Sequence, residues 1–71
     1  MDIEIISIGT EILLGEITDT NSAFIARELT AVGHNIVYMT SVEDKKEKLI
    51  KALQTALTRS DIIITTGGLG P

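Results

Sequence analysis

Two short stretches of this 71-residue sequence carry the residues best suited to chemistry, "GTEILLG" at 9–15 and "TTGGLGP" at 65–71. Gly67, Gly68 and Gly70 can accept positive φ and let a backbone come close to a ligand. Successive N–H groups can then converge on an anion such as a phosphate or pyrophosphate. Thr10 and Glu11 follow Gly9 directly, and a carboxylate at Glu11 can hold a hydrated divalent cation or accept hydrogen bonds from a ribose or pterin ring. Glycine spacing by itself leaves two readings open, an anion cradle and an ordinary tight turn. Neither a G-x-G-x-x-G fingerprint nor the Gly-Lys-Ser/Thr of a P-loop is present to decide between them.

The other polar candidates each have a local reading and a ligand reading. Asp44 is either a helix N-cap or a second acid on the edge that carries Glu11. Asp19 and Asn21 either cap a helix or present its free N–H groups to a ligand. His34 stands next to Gly33, at the far end of the chain's strands from both glycine-bearing loops, and reads as a surface turn residue. No Ser/His/Asp set and no G-x-S-x-G elbow occurs, so nucleophilic hydrolysis has no support.

What must position these residues is a set of alternating elements. Ile3 to Ile8, Asn35 to Val42 and Asp61 to Thr66 are short runs rich in β-branched residues, each bounded by turn residues. They read as strands of a parallel sheet covered on both faces. Between them "DTNSAFIARELTAVG" carries a stripe of Ile25, Ala26, Leu29 and Val32, with a left-handed cap expected at Gly33. In "EDKKEKLIKALQTALTRS" the stripe is Leu49, Ile50, Leu53, Ala56 and Leu57. Asp44 and Glu47 there suggest a capping box, and Glu47 and Lys51 an i, i+4 ion pair. The lysines at 45, 46, 48 and 51 read as a solvated face, with an anion-binding patch as the alternative.

The order β-α-β-α-β with right-handed crossovers predicts a doubly wound parallel sheet. Ligands of such sheets sit beyond the carboxyl ends of the strands. For both glycine-bearing loops to reach one pocket, the first and third strands must be neighbours, which requires the order 2-1-3. The segment Thr10 to Thr18 fits no pattern. It reads as a turn of helix or a short strand packing Ile12, Leu13 and Leu14 onto the domain, or as a site-lining loop whose apolar residues meet a second subunit.

Composition narrows the function classes. Six Lys and Arg against ten Asp and Glu give a net charge of -4, which argues against binding to a nucleic-acid backbone. The sequence has no cysteine, so disulfides, thiolate metal sites and a cysteine nucleophile are excluded, and a cytoplasmic location is expected. No apolar run approaches a membrane span, and the acidic N-terminus does not look like a secretory signal.

The stretches "GTEILLGEITDTN", "VED" and "DIIITTGGLGP", in that order and spacing, resemble the N-terminal domain of the CinA (competence/damage-inducible) family, within the molybdopterin-binding superfamily of molybdenum-cofactor biosynthesis. The resemblance runs over essentially the whole chain. It implies a three-layer α/β/α sandwich, of which these residues would form a β-α-β-α-β portion with strand order 2-1-3, and a pocket for a phosphorylated pterin or nucleotide, mapped onto Gly9, Thr10, Glu11, Asp44, Thr66, Gly67, Gly68 and Gly70. It also implies a metal-dependent pyrophosphatase acting on ADP-ribose, with Mg, Mn or Co as the metal, or a non-hydrolytic binder of molybdopterin or nucleotide. Leu14, Gly15, Asp19 and Asn21 match the first motif as well, in roles that can be structural. Thr10 stands where the family commonly has an acid, and Glu43 where it often has Gly. The family continues past Gly-Leu-Gly-Pro into Thr-x-Asp-Asp-x-Thr, whose carboxylates are its expected metal or catalytic ligands. The resemblance therefore places the catalytic acids beyond Pro71 and names none within residues 1–71. These residues are expected to be the N-terminal portion of one larger domain, a homo-oligomer when intact and inactive as a fragment. A third reading is a structural piece that uses the edge of its third strand and its "EILL" loop to complete another chain.

Overall fold

The computed structural model describes residues 1–16 and 18–68. The elements are β1 (Asp2–Ile8), α1 (Thr10–Leu13), α2 (Thr20–Ala31), β2 (Asn35–Val42), α3 (Lys46–Leu57) and β3 (Ile62–Gly67). All three strands are parallel and stand in the order β2-β1-β3, as the shared-pocket argument requires.

Strand β1 is central because it can be buried on both faces. Ile3, Ile5, Ile6 and Ile8 are all buried, with Ile5 and Ile6 wholly inaccessible; each such side chain contributes about 1.5–3 kcal/mol of hydrophobic stabilisation. Alternation along the strand then sorts the neighbours. Ile6 and Ile8 pack with Ala56 of α3, supported by Val42, Leu49, Ala52, Leu53 and Ile63. Ser7 points the other way and meets α2. Helices therefore cover the two faces, which is the α/β/α layering. The β1–β2 register slips between Ile3, opposite Ile36, and Glu4, opposite Tyr38. This extra residue in β2 aligns Tyr38, Thr40 and Val42 with Glu4, Ile6 and Ile8 on the α3 side.

Helix α2 ends as expected. Gly33 has φ 93, and the His34 N–H reaches the Leu29 carbonyl at 3.0 Å, an arrangement only glycine adopts without strain. The apolar stripes are narrower than the sequence suggests. Val32, Ile50 and Leu57 are exposed, because each helix has one sheet face to cover and these residues flank the contact. Helix α3 also starts without the expected capping box. Lys45 occupies its N-cap with no side-chain hydrogen bond. The Lys45 N–H bonds the Glu43 carbonyl at 2.8 Å, and this tight turn leaves Asp44 outside the helix, one position too early to cap it.

The segment after β1 begins as the four-residue helix α1, a turn of helix as one reading held. Leu13 and Leu14 are exposed, however, and do not pack onto the domain. No helix among the described residues is long and apolar enough to cross a membrane.

Candidate functional site at the carboxyl ends of β1 and β3

The site begins where β1 runs out. The Gly9 N–H donates to the Val42 carbonyl at 3.0 Å, joining the exit of β1 to the end of β2. Gly9 is extended and caps α1 (φ 165, ψ 122), and its carbonyl accepts from the Leu13 N–H at 3.2 Å. The turn folds the Glu11 carboxylate back over Gly9: a Cβ on Gly9 would lie 2.8 Å from Glu11 Oε1. The missing side chain at position 9 makes room for that carboxylate. Thr10 Oγ1 accepts a long hydrogen bond from the Asp44 N–H at 3.4 Å, so the loop after β1 meets the loop after β2. Glu11 and Asp44 are both exposed.

On the other side of β1, Ser7 is paired with Thr66 and Ile8 with Gly67. Gly67 and Gly68 have φ 82 and φ 71, both in the left-handed region. A Cβ on Gly67 would collide with the Ile8 carbonyl oxygen, and one on Gly68 would lie 3.0 Å from Ile8 Cγ2. These two glycines are therefore demanded by the close approach of β3 to β1, before any ligand is considered. Gly70, the third glycine of the loop, lies outside the described residues. So does Pro71, the residue beyond which the family resemblance puts the catalytic acids.

Below this end of the sheet is a polar network that sequence reading missed. Asp19 caps α2, accepting the Ser22 N–H at 3.1 Å. Its other carboxylate oxygen accepts a short hydrogen bond from the Ser7 hydroxyl, which lies 2.5 Å from Ser22 Oγ. Ser7 and Ser22 are buried. Burial pushes the Asp19 carboxyl up, but the hydrogen bonds from Ser7 and Ser22 outweigh it and hold the group below its ordinary value of 3.8. The capping reading of Asp19 thus holds, and Asn21 is exposed on the first turn of α2. The available signal was Ser7 itself, a hydroxyl set in an otherwise apolar stretch of a buried strand.

The structure brings Gly9, Thr10, Glu11 and Asp44 together, and places Thr66, Gly67 and Gly68 at the same end of the adjacent strand. His34 is exposed next to the start of β2, at the opposite end. Among the described residues no three His, Cys, Asp or Glu side chains stand together as a ligand set.

The arrangement can be set beside known proteins. The family described as "probable molybdopterin binding domain" matches residues 4–71. The chain belongs to this family. It is also similar to proteins carrying the competence-damage name. A putative competence-damage inducible protein of Halothermothrix orenii is 59% identical over 68 residues, covering 96% of the chain and 16% of that protein. One from Clostridioides difficile is 52% identical over 71 residues, covering the whole chain and 17% of that protein. A crystal structure of the protein CinA from Thermoplasma acidophilum, described as of unknown function, superposes with a TM-score of 0.91 at 37% identity, covering 99% of the chain and 41% of that structure. The chain thus spans about a sixth of the length of the curated relatives it matches, and its β2-β1-β3 sheet is the CinA arrangement.

Proposed function

We propose that the crevice where β1 and β3 end binds the phosphate-bearing part of a small molecule, a nucleotide or a phosphorylated pterin of the molybdopterin kind. The observation that carries the reading is the adjacency of the two strand ends: Ile8 is paired with Gly67, and the next residues on each side are the Gly9–Glu11 turn and the left-handed Gly68. Backbone nitrogens and short side chains at such a place suit an anion. Family membership supplies the pterin as a ligand class. In this reading Thr10 and Thr66 offer hydroxyls, Glu11 and Asp44 accept hydrogen bonds from the ring or sugar, and Gly67, Gly68 and Gly70 offer backbone.

We read residues 1–71 as the N-terminal portion of one such domain, acting in the cytoplasm and assembling with a second copy through the exposed Leu13 and Leu14. The test is calorimetry on the complete domain, titrating a pterin phosphate and ADP-ribose in turn. Saturable binding of either is expected, weakened by Thr10→Ala and by Glu11→Ala with the fold intact. Absence of binding by both ligands would remove the crevice from consideration.

The second reading is cleavage of a pyrophosphate bond in ADP-ribose, with the remaining acids supplied by sequence beyond Pro71. It is favoured by the position of the Glu11 carboxylate, folded over Gly9 at the end of β1 and open to solvent. Since this reading draws the remaining acids from beyond Pro71, residues 1–71 alone are expected to release no AMP from ADP-ribose with Mg2+, Mn2+ or Co2+. Release at an enzymatic rate by this chain would refute that expectation.

A further inference from the structure

On the face of the sheet covered by α3, and about 13 Å back along β1 from the glycine loop at the usual rise per strand residue, lies a groove of about 250 Å³. Glu4, Thr40, Lys48, Lys51, Thr55 and Arg59 supply its polar lining, and Ala52 lines it as well. We propose that this groove is a second anion site, distinct from the crevice above and independent of it, and that it takes a small, multiply charged phosphate of pyrophosphate size.

The charge in the groove runs against that of the chain. Three cationic groups face one carboxylate, in a protein of net charge -4. That carboxylate and Arg59 neutralise one another, which leaves Lys48 and Lys51 as the excess charge of the groove. Glu4 is 1% exposed, and its two oxygens accept from Arg59 Nε at 3.0 Å, Arg59 Nη2 at 2.7 Å, Ser60 Oγ at 2.9 Å and, more weakly, Thr40 Oγ1 at 3.4 Å. Arg59 is further held by Tyr38, whose ring centroid lies 3.7 Å from the guanidinium carbon. A guanidinium paired with Glu4 and stacked on Tyr38 has already lost its side-chain entropy, so an anion held by the lysines can use its remaining N–H donors without having to order it.

The lysines complete the wall. Lys48, Lys51 and Thr55 recur at i, i+3 and i+7 on α3, so they share one stripe of the helix beside its apolar face. The Glu47–Lys51 ion pair expected from the spacing is not among the contacts within 4 Å. The ion pairs of the described residues are Lys45–Glu43 and Arg59–Glu4, and neither uses Lys48 or Lys51. The groove volume lies below the range usual for drug-sized ligands, which selects a small anion over a whole dinucleotide.

The test is a 15N-resolved NMR titration of the chain with pyrophosphate, against sodium chloride at matched ionic strength. Saturable shifts are expected at Thr40, Lys48, Lys51 and Thr55, and they should disappear in the Lys48→Gln/Lys51→Gln double variant while the rest of its spectrum is unchanged. Shifts at Gly67 and Gly68 report the crevice separately, so either site can fail without the other. Groove shifts that match those in sodium chloride, that do not saturate at millimolar pyrophosphate, or that persist in the double variant would overturn the proposal and return the lysines to a solvated face.

Discussion

Gly67→Ala offers the sharpest test of how β3 is seated on β1. Three glycines of positive φ provide an internal comparison: Gly15 (φ 78), Gly33 (φ 93) and Gly67 (φ 82). All three should lose about 1–2 kcal/mol on substitution by alanine, the general cost of the left-handed region for a residue with a Cβ. At Gly15 and Gly33 nothing lies within 4 Å of the added carbon, so the cost ends there. At Gly67 the same carbon strikes the Ile8 carbonyl oxygen, a backbone atom that cannot rotate away. Relief requires the end of the β1–β3 ladder to open, with strain of about 1–3 kcal/mol and a weakened ladder hydrogen bond of roughly 1 kcal/mol. Taking the lower end of that sum, about 2 kcal/mol, and a midpoint shift of about 4–8 °C per kcal/mol for a domain of this size, Gly67→Ala should melt at least roughly 8–16 °C below Gly33→Ala. Thermal unfolding followed by far-UV circular dichroism, with Gly15→Ala as the second control, measures this directly. Equal melting of the Gly67 and Gly33 variants would refute the close approach and the β3 placement built on it.

Acid should destabilise the chain in a defined window. Glu4 is held below its ordinary value of 4.5, chiefly by the Arg59 hydrogen bonds against the opposing effect of burial, and Asp19 lies below 3.8. The unfolded state therefore binds more protons, so their contribution is complete above these ordinary values and is lost as pH falls through the lower folded ones. Urea midpoints measured from pH 7 down to pH 3 should drop, and a flat profile would contradict the shifts. Glu4→Gln replaces the charge-assisted bonds with an amide facing Arg59 and should cost about 1–3 kcal/mol at pH 7, the lower part being favoured because the Arg59 side chain is 33% exposed and screened. It should also flatten the Glu4 share of the acid profile; a Glu4→Gln urea midpoint equal to that of the parent would show that the buried pair adds no stability. Ser7→Ala removes the hydroxyl shared by Asp19 and Ser22 and should cost about 1–3 kcal/mol by urea unfolding, and an unchanged midpoint would argue against the network.

The fold was legible in the sequence where burial is two-sided. A run such as "IEIISI" has no polar face to show water, and a strand of that kind belongs in the middle of a parallel sheet, where β1 stands. The order 2-1-3 was legible through the placement of the two glycine-bearing loops. What escaped was polar. Glu4 lies in the same buried run and gives no local sign that its partner is Arg59, 55 residues later. Ser7 likewise shows its purpose only when α2 is laid across it. Long-range partners of a buried polar group are set by topology, and local periodicity does not contain them. The capping box failed for a related reason: Asp44 and Glu47 have the right spacing, but the turn leaving β2 decides which residue starts the helix.

The glycines carry a general lesson about inferring a site from a motif. Gly67 and Gly68 are both accounted for by Ile8, one through its carbonyl and one through its side chain. Their presence therefore cannot itself distinguish an anion cradle from a tight junction of strands. The same geometry is nevertheless compatible with the proposed ligand, because Ile8, on which both glycines close, is followed directly by the Gly9–Glu11 turn. The two roles separate only under substitutions that spare the junction. Gly68→Val would confound them, since a branched side chain at φ 71 must also displace Ile8. Thr10→Ala and Glu11→Ala leave β3 on β1 untouched, so a loss of ligand affinity in those variants, with unfolding midpoints unchanged, bears on recognition alone.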